Sequence, residues 1–213
     1  MKTAILFDLD GTLLNTLQDL YLSTNRTMTH FGCPERTIEE IRSFVGNGAR
    51  NQIRLSLPGK DTDPDLDEAL AYYQQDYKAH CTDNTAPYPG IMEALAQLKE
   101  YPLAIVTNKP DAAAKILCKE IFGEIYTLGA TDDCPRKPAA DMLYKAMADI
   151  GAEKCIYVGD SEVDVLTAQN AGVPCISVLW GFRYKACLTD AGAEIFCDNP
   201  LGLPRIVKEL TNN

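Results

Sequence analysis

Four short polar clusters hold the residue types that phosphate and metal chemistry needs. They are Phe7-Asp8-Leu9-Asp10-Gly11-Thr12, Thr107-Asn108-Lys109, Lys137-Pro138, and the run from Gly159 through Asp160 and Ser161 to Asp164. Together they hold the carboxylates of Asp8, Asp10, Asp160 and Asp164, the Thr107 hydroxyl, the Asn108 amide and the ammonium groups of Lys109 and Lys137. Each cluster alone has an ordinary explanation. Asp-x-Asp-Gly is a common turn, Thr107 and Asn108 ahead of Pro110 suit a helix cap, Lys137 suits a solvated loop, and Asp160 and Asp164 suit a cap and a first-turn acid. Jointly these explanations fail, because independent turns have no reason to gather four carboxylates, a hydroxyl and an ammonium on one edge of a sheet.

That edge is implied by the elements around the clusters. Short β-type runs at 4–7, 103–106, 125–128, 156–158 and 175–179 are separated, from the second onward, by helix-period segments. Ile91, Leu95 and Leu98 share one helical face, as do Leu143, Met147 and Ile150, and Gly172 suits the C-terminal cap of a helix starting near Glu162. Strands alternating with helices predict an α/β fold, a doubly wound parallel sheet covered on both faces. Functional residues of such sheets lie at the carboxyl ends of the strands, near the point where strand order reverses.

The interval between the first two strands breaks the rhythm and reads as helices. Leu17, Leu20, Tyr21, Thr24, Met28 and Phe31 form one stripe, Leu66, Ala69, Leu70, Tyr73 and Tyr77 another, and Thr37 to Glu40 has capping-box spacing. This pattern predicts a helical insertion over 16–83 in a core built from 1–15 and 84–213. Polar residues at 15–16 and a Pro-Gly segment at 83–89 punctuate its edges.

Electrostatics predicts what joins the acids. Like charges about 4 Å apart repel by roughly 4 kcal/mol at an effective dielectric near 20, so the four carboxylates cannot all stay ionised without a cation, and one lysine is not enough. A hard divalent ion with oxygen ligands, shared with a phosphate, is the expected remedy. Mg²⁺ fits better than zinc, since no His or Cys joins the cluster and both histidines, His30 and His80, fall in the helical insertion.

With all four clusters in this order, the chain resembles the haloacid dehalogenase superfamily of phosphatases with a small helical cap, most similar to its phosphoglycolate phosphatase branch. The resemblance implies a Rossmann-like core and Asp8 as the nucleophile that becomes a phospho-aspartate. Asp10 would protonate the leaving group and then activate water, with its backbone carbonyl on Mg²⁺. Thr107, Asn108 and Lys137 would hold the phosphoryl oxygens, together with Leu9 and Gly11 of the first turn. Asp160 would ligate the metal directly, with Asp164 placing its waters or the Lys137 head group. The cap would close over the site, and Arg50, after the glycines of Val45-Gly46-Asn47-Gly48-Ala49, is its candidate for a phosphate or carboxylate. Two positions depart from the pattern. Lys137 is followed by Pro138-Ala139-Ala140 where many relatives carry an acid or a second proline, which keeps Lys109 open as the phosphate lysine, and Asn15 stands where relatives often carry Asp.

The leading expectation is a Mg²⁺-dependent phosphomonoesterase acting on a small phosphorylated metabolite, with phosphoglycolate favoured. Its rivals are a β-phosphoglucomutase-like sugar-phosphate mutase and a pyrophosphatase or nucleotidase on the same core. Thr12, and the lack of a His just after the first cluster, favour hydrolysis over mutase chemistry. A non-catalytic phosphate-binding or interaction protein would be expected to have a damaged cluster, and none is damaged.

Composition bounds the remaining possibilities. The chain has 213 residues, 46% of them hydrophobic, enough to bury roughly 70% of the unfolded surface without disulfide staples. Acids outnumber bases 30 to 20, for a formal charge of −10, so the surface as a whole should repel nucleic acid and anionic membrane, and an anionic substrate needs local cations. The 8 cysteines contain no CxxC pair and read as reduced, mostly buried thiols. The apolar run at 3–7 is too short for a signal-peptide core, and 165–182 is too polar for a membrane span, which makes the cytoplasm the expected location. No apolar stripe is left over for a partner, so monomer and homodimer are both open.

Overall fold

A computed structural model of the chain describes residues 2–59 and 64–212. These divide into two compact units, one built from the chain up to Leu14 and from Pro87 onward, the other from Asn15–Ala86.

The first unit is organised by a six-stranded parallel sheet. In chain order the strands of the protein are β1 (Thr3–Phe7), β2 (Leu14–Asn15), β3 (Ala86–Pro87), β4 (Leu103–Pro110), β5 (Tyr126–Ala130), β6 (Lys154–Gly159), β7 (Cys175–Val178) and β8 (Ile195–Cys197). The short β2 and β3 are where the chain leaves and re-enters this unit. The sheet order is β5-β4-β1-β6-β7-β8. Strand order therefore runs outward from β1 in both directions, and the reversal falls where β1 meets β4 on one side and β6 on the other. The register pairs Phe7 with Ile105 and with Val158, so β1 and β6 end nearly level while β4 runs on past them to Pro110.

Alternation along the strands supplies both faces of the core. Ile5 and Phe7 pack with Ile105, Ile156 and Val158 on one face, under α5 (Ile91–Gln97), α6 (Asp111–Phe122) and α10 (Leu203–Thr211). Ala4 and Leu6 pack with Ala104, Val106 and Cys155 on the other, under α7 (Asp141–Asp149) and α8 (Glu162–Ala171). A strand covered on both sides has to be apolar at successive positions, which is why these runs read as unbroken hydrophobic segments. Gly172 caps α8 in the left-handed conformation, at φ 65°. A further short helix, α9 (Lys185–Asp190), precedes β8.

Two strands differ from expectation. The run at 103–106 continues through Thr107, Asn108 and Lys109 to Pro110, with a register shift against β5 between Val106 and Pro110. Its polar residues stay in the strand because they find buried partners; the Lys109 N–H, for example, donates to Thr107 Oγ1 at 3.2 Å. The edge strand β8 is only three residues long, too short for alternation to register in the sequence.

The second unit contains α1 (Leu17–His30), α2 (Ile38–Phe44), α3 (Ala49–Ser56) and α4 (Leu66–His80). Thr37 and Glu40 form the capping box of α2, with Glu40 N–H donating to Thr37 Oγ1 at 3.2 Å and Thr37 N–H to Glu40 Oε2 at 2.7 Å. α1 and α4 lie against each other, and their stripes bury Leu20 and Met28 on the first helix and Ala69, Tyr73 and Tyr77 on the second. Arg26 adds a two-pronged contact to Asp76, at 2.8 and 2.7 Å. Of the cysteines, four are buried, three are partly buried and Cys187 is exposed, so burial is less complete than composition suggests. Among the described residues no helix is long and apolar enough to cross a membrane.

Candidate active site

The strand ends at the sheet's reversal bring the acidic clusters together. Asp8 directly follows β1 and keeps its backbone in the ladder, its N–H donating to Val158 O at 2.8 Å. The chain then turns sharply, with Leu13 and Leu14 N–H groups both returning to Leu9 O at 3.0 Å. Asp160 directly follows β6, and Asp164 lies in the first turn of α8. Oxygens of Asp8, Asp160 and Asp164 lie within 4.8 Å of one another, and all three residues are buried.

Lys137 is the cation of this group. Its Nζ lies 2.7 Å from Asp8 Oδ1, 2.8 Å from Asp164 Oδ1 and 2.8 Å from the Tyr157 hydroxyl. Asn108 Nδ2 donates to Lys137 O at 2.9 Å, which ties the Lys137 loop to the end of β4. Asp164 is the most heavily bonded of the acids, because its second oxygen also accepts the Ser161 N–H at 3.1 Å and the Ser161 hydroxyl at 2.6 Å. Lys137 and Ser161 thus leave Asp164 oriented toward the lysine head group.

Asp160 sits in a slot formed by backbone. It accepts the Phe182 N–H at 2.7 Å on Oδ2 and the Thr12 hydroxyl at 3.2 Å on Oδ1. Trp180 Nε1 donates to Thr12 O at 2.9 Å, joining the loop after β7 to the turn after β1. A Cβ on Gly11, whose φ is +88°, would lie 2.3 Å from Asp160 Oδ2, so the close approach requires glycine there.

Asp10 stands apart from the three-carboxylate group. Lys109 Nζ meets its two oxygens at 2.9 and 3.1 Å. The expectation that a single lysine faces four acids is therefore corrected to two lysines, both buried, because β4 extends far enough to carry Lys109 to the turn after β1. Four carboxylates and two ammonium groups still leave two negative charges.

Burial and charge decide where that excess is felt. Burial pushes the Asp8 carboxyl up to about 7 against the pull of Lys137, with Asp164 adding to the rise. Burial, then Asp164 and Asp8, hold the Asp160 carboxyl well above the usual range. Asp164 is equally desolvated, yet Lys137, Ser161 and Tyr157 hold it below its ordinary value. Burial also works against the Lys137 ammonium, but Asp164 and Asp8 more than offset it and raise its pKa. The two carboxyls left with an energetic need for positive charge, Asp8 and Asp160, both belong to the oxygen-only group. A hard divalent cation suits such donors.

The other expected residues fall as follows. Thr107 and Asn108 lie in the polar last part of β4 and are buried, and Asn108 is tied to the Lys137 loop. The Leu9 side chain lies in the apolar core, so only its backbone remains for a ligand. Arg50 lies in the second unit, near the start of α3, where its guanidinium pairs with Asp67. Sequence reasoning missed Tyr157 and the Gly181-Phe182 segment. A hydroxyl three residues before Asp160 in an otherwise apolar strand was the available signal for Tyr157. Gly181 and Phe182 act through backbone and gave none.

Comparisons with known proteins agree with this geometry. Residues 5–178 match the model of the haloacid dehalogenase-like hydrolase family. Phosphoglycolate phosphatase 1 of Pseudomonas aeruginosa is 33% identical over 207 residues, covering 92% of this chain and 76% of that protein. The phosphoglycolate phosphatase of Rhodobacter capsulatus is 35% identical over 191 residues, 86% of this chain and 87% of its own. A solved haloacid dehalogenase-like hydrolase from Streptococcus pneumoniae superposes with a TM-score of 0.87 at 27% identity, covering 97% of this chain and 98% of that one. With a parallel sheet whose reversal point gathers the four motifs, and relatives of this identity and coverage, the chain belongs to the haloacid dehalogenase-like hydrolase family and stands among its phosphatases.

Proposed function

We propose that this enzyme is a Mg²⁺-dependent phosphomonoesterase that hydrolyses a small phosphorylated metabolite, phosphoglycolate being favoured, through a phospho-aspartate on Asp8. The observation that carries the reading is the Lys137 ammonium bridging Asp8 and Asp164 beside Asp160. A buried carboxylate held at a strand end by a cation is poised to face a phosphoryl group rather than to stabilise the fold.

In this reading an Asp8 oxygen attacks phosphorus, the ester P–O bond breaks, and its electron pair stays on the leaving oxygen. Asp10 delivers a proton to that oxygen. In the second half Asp10 takes a proton from water as the water oxygen attacks phosphorus and releases Asp8. Thr107 and the Asn108 backbone hold phosphoryl oxygens, while Lys137 orients Asp8 and offsets the charge of the transferring group. Asp8 and Asp160, with Asp164 behind them, would hold Mg²⁺, which when bound supplies positive charge to the nucleophile and the phosphoryl oxygens. The helical unit takes the role of cap. Support for the substrate comes from the phosphoglycolate phosphatases of Pseudomonas aeruginosa and Rhodobacter capsulatus, which this chain matches over most of its length.

The test is turnover of p-nitrophenyl phosphate by wild type and Asp8→Asn, followed by a comparison of phosphoglycolate, sugar phosphates, nucleotides and pyrophosphate by kcat/KM. Asp8→Asn is expected to abolish turnover, and EDTA to do so reversibly. Activity surviving either change overturns the mechanism, and isomerisation of a sugar phosphate without phosphate release overturns the hydrolase reading.

A further inference from the structure

The motifs leave Lys109 without a role, and its position supplies one. Its side chain is only 3% exposed, and its Nζ bonds both oxygens of Asp10, at 2.9 and 3.1 Å. The two residues are 99 positions apart in sequence and meet because β1 and β4 are neighbours and β4 runs on past the end of β1. Both backbones are fixed as well. The Lys109 N–H is bonded to Thr107 Oγ1, and Asp10 makes a bridge to Leu14 within the turn that follows β1. Lys137 cannot take over this contact, since its ammonium is bonded to Asp8, Asp164 and Tyr157.

We propose that Lys109 is a positioning residue for Asp10, fixing the direction from which this carboxyl group exchanges a proton with the substrate. The inference rests on the phosphatase reading above. An aspartate has two side-chain torsions, and bonds to both of its oxygens from one buried ammonium hold both torsions. In the first chemical step the ester P–O bond breaks, its electron pair stays on the leaving oxygen, and the proton on Asp10 moves to that oxygen. Lys109 gives up no proton in this step and touches no substrate atom. Its removal leaves the carboxyl group in place but unaimed: up to the phospho-aspartate a substrate is affected only as far as its leaving group needs the proton, while the attack of water in the second half is slowed equally for every substrate. An alkoxide needs it; p-nitrophenolate, a stable anion, leaves without it.

The experiment compares Lys109→Met and Lys109→Gln with wild type, all Mg²⁺-loaded, on p-nitrophenyl phosphate and on phosphoglycolate or the best alkyl phosphate from the ester screen. Loss of an aimed general acid should lower kcat/KM, which reports the steps up to the phospho-aspartate, roughly 100-fold for the alkyl ester and less than about threefold for the aryl ester. In an Asp10→Asn background the Lys109→Met change should have no further effect, because the residue it positions is already gone. Lys109→Gln, which keeps an N–H donor, covers the case in which the Met variant fails to melt cooperatively. Equal losses of kcat/KM on both esters, an additive effect in the Asp10→Asn background, or no loss on the alkyl ester overturns the inference. A wild-type enzyme that releases phosphate from neither ester overturns the phosphatase reading instead, so the two failures are distinct.

Discussion

Gly181 stands so close to Asp160 that a Cβ on it would lie 2.3 Å from the Asp160 Cβ and 2.5 Å from its Oδ2. The same Cβ would meet Gly11 O at 2.5 Å, so Asp160 is held in a slot with glycine on two sides. Gly181→Ala therefore shifts Asp160 without removing any candidate ligand. Overpacking of this kind is expected to lower stability by about 1–3 kcal/mol. Displacing the supports of a ligand weakens metal binding by about 10–100-fold. Calorimetric titration with Mg²⁺ and thermal melts of the variant check both, and unchanged Mg²⁺ affinity would show that Asp160 is not held for a metal.

Tyr157 accepts the Lys137 ammonium at 2.8 Å, and its own O–H reaches Asp164 Oδ1 at 3.0 Å or Val106 O at 3.3 Å. Burial, with Asp164 and Asp8 adding to it, keeps the phenol protonated. Tyr157→Phe keeps the ring in the core and removes one acceptor from a buried charge. It should lower stability by about 1–3 kcal/mol. With Lys137 less tightly aimed at Asp8, kcat is expected to fall more than KM changes. Chemical denaturation and steady-state kinetics on one aryl phosphate measure the two effects, and wild-type kcat in a destabilised variant would assign Tyr157 to the fold alone.

The sheet and the acids were legible in the sequence for one physical reason. A strand buried on both faces must be apolar at successive positions, and the first polar residue past its carboxyl end must lie where the sheet's helices leave space. Asp8 after Phe7 and Asp160 after Gly159 follow that rule. Contacts between residues distant in sequence were not legible in the same way. Lys109 read as an alternative phosphate ligand because nothing in Thr107-Asn108-Lys109 points to Asp10. Tyr157 counted as an apolar strand residue, and its hydroxyl acquires a function only once Lys137 is beside it. Phe182 contributes a backbone N–H, which any residue but proline carries. Arg50 read as a cap guanidinium for an anion, whereas Asp67 meets it in the fold.

Asp19, in the first turn of α1 and 1% exposed, gathers the segment ahead of β3. It accepts the Asn84 N–H at 3.0 Å, Asn84 Nδ2 at 2.8 Å and the Thr85 hydroxyl at 2.8 Å. Asp19→Ala leaves these donors without their carboxylate and should destabilise the helical unit by about 2–3 kcal/mol, given the strength of hydrogen bonds to a charged group. Asp19→Asn keeps one acceptor oxygen and should lose less. Hydrogen exchange at Asn84 and Thr85 reads the loosening directly, and unchanged protection there in Asp19→Ala would discount the clamp.

Asp8 gives the metal-free enzyme a dependence on pH that a metal bound there would oppose. Its folded pKa, about 7, lies above the ordinary aspartate value, so between about pH 4 and about pH 7 the folded state binds a proton that the unfolded state has lost. Stability then falls as pH rises through that window, by an amount on the order of a few kcal/mol. Asp160, shifted in the same direction, adds to the decline. Asp164 has the opposite sign, and its contribution is lost only as pH falls below the ordinary carboxylate range. A divalent ion held by Asp8 would require its carboxylate without the proton, so the stabilisation it would confer grows over the window in which the metal-free protein weakens. The melting temperature in EDTA is therefore expected to fall from about pH 5 to about pH 8, while the gap between Mg²⁺ and EDTA widens. Asp8→Asn should flatten the EDTA curve and shrink the gap. A gap independent of pH across this range would remove Asp8 from the metal site, because proton and metal would no longer compete for its oxygens.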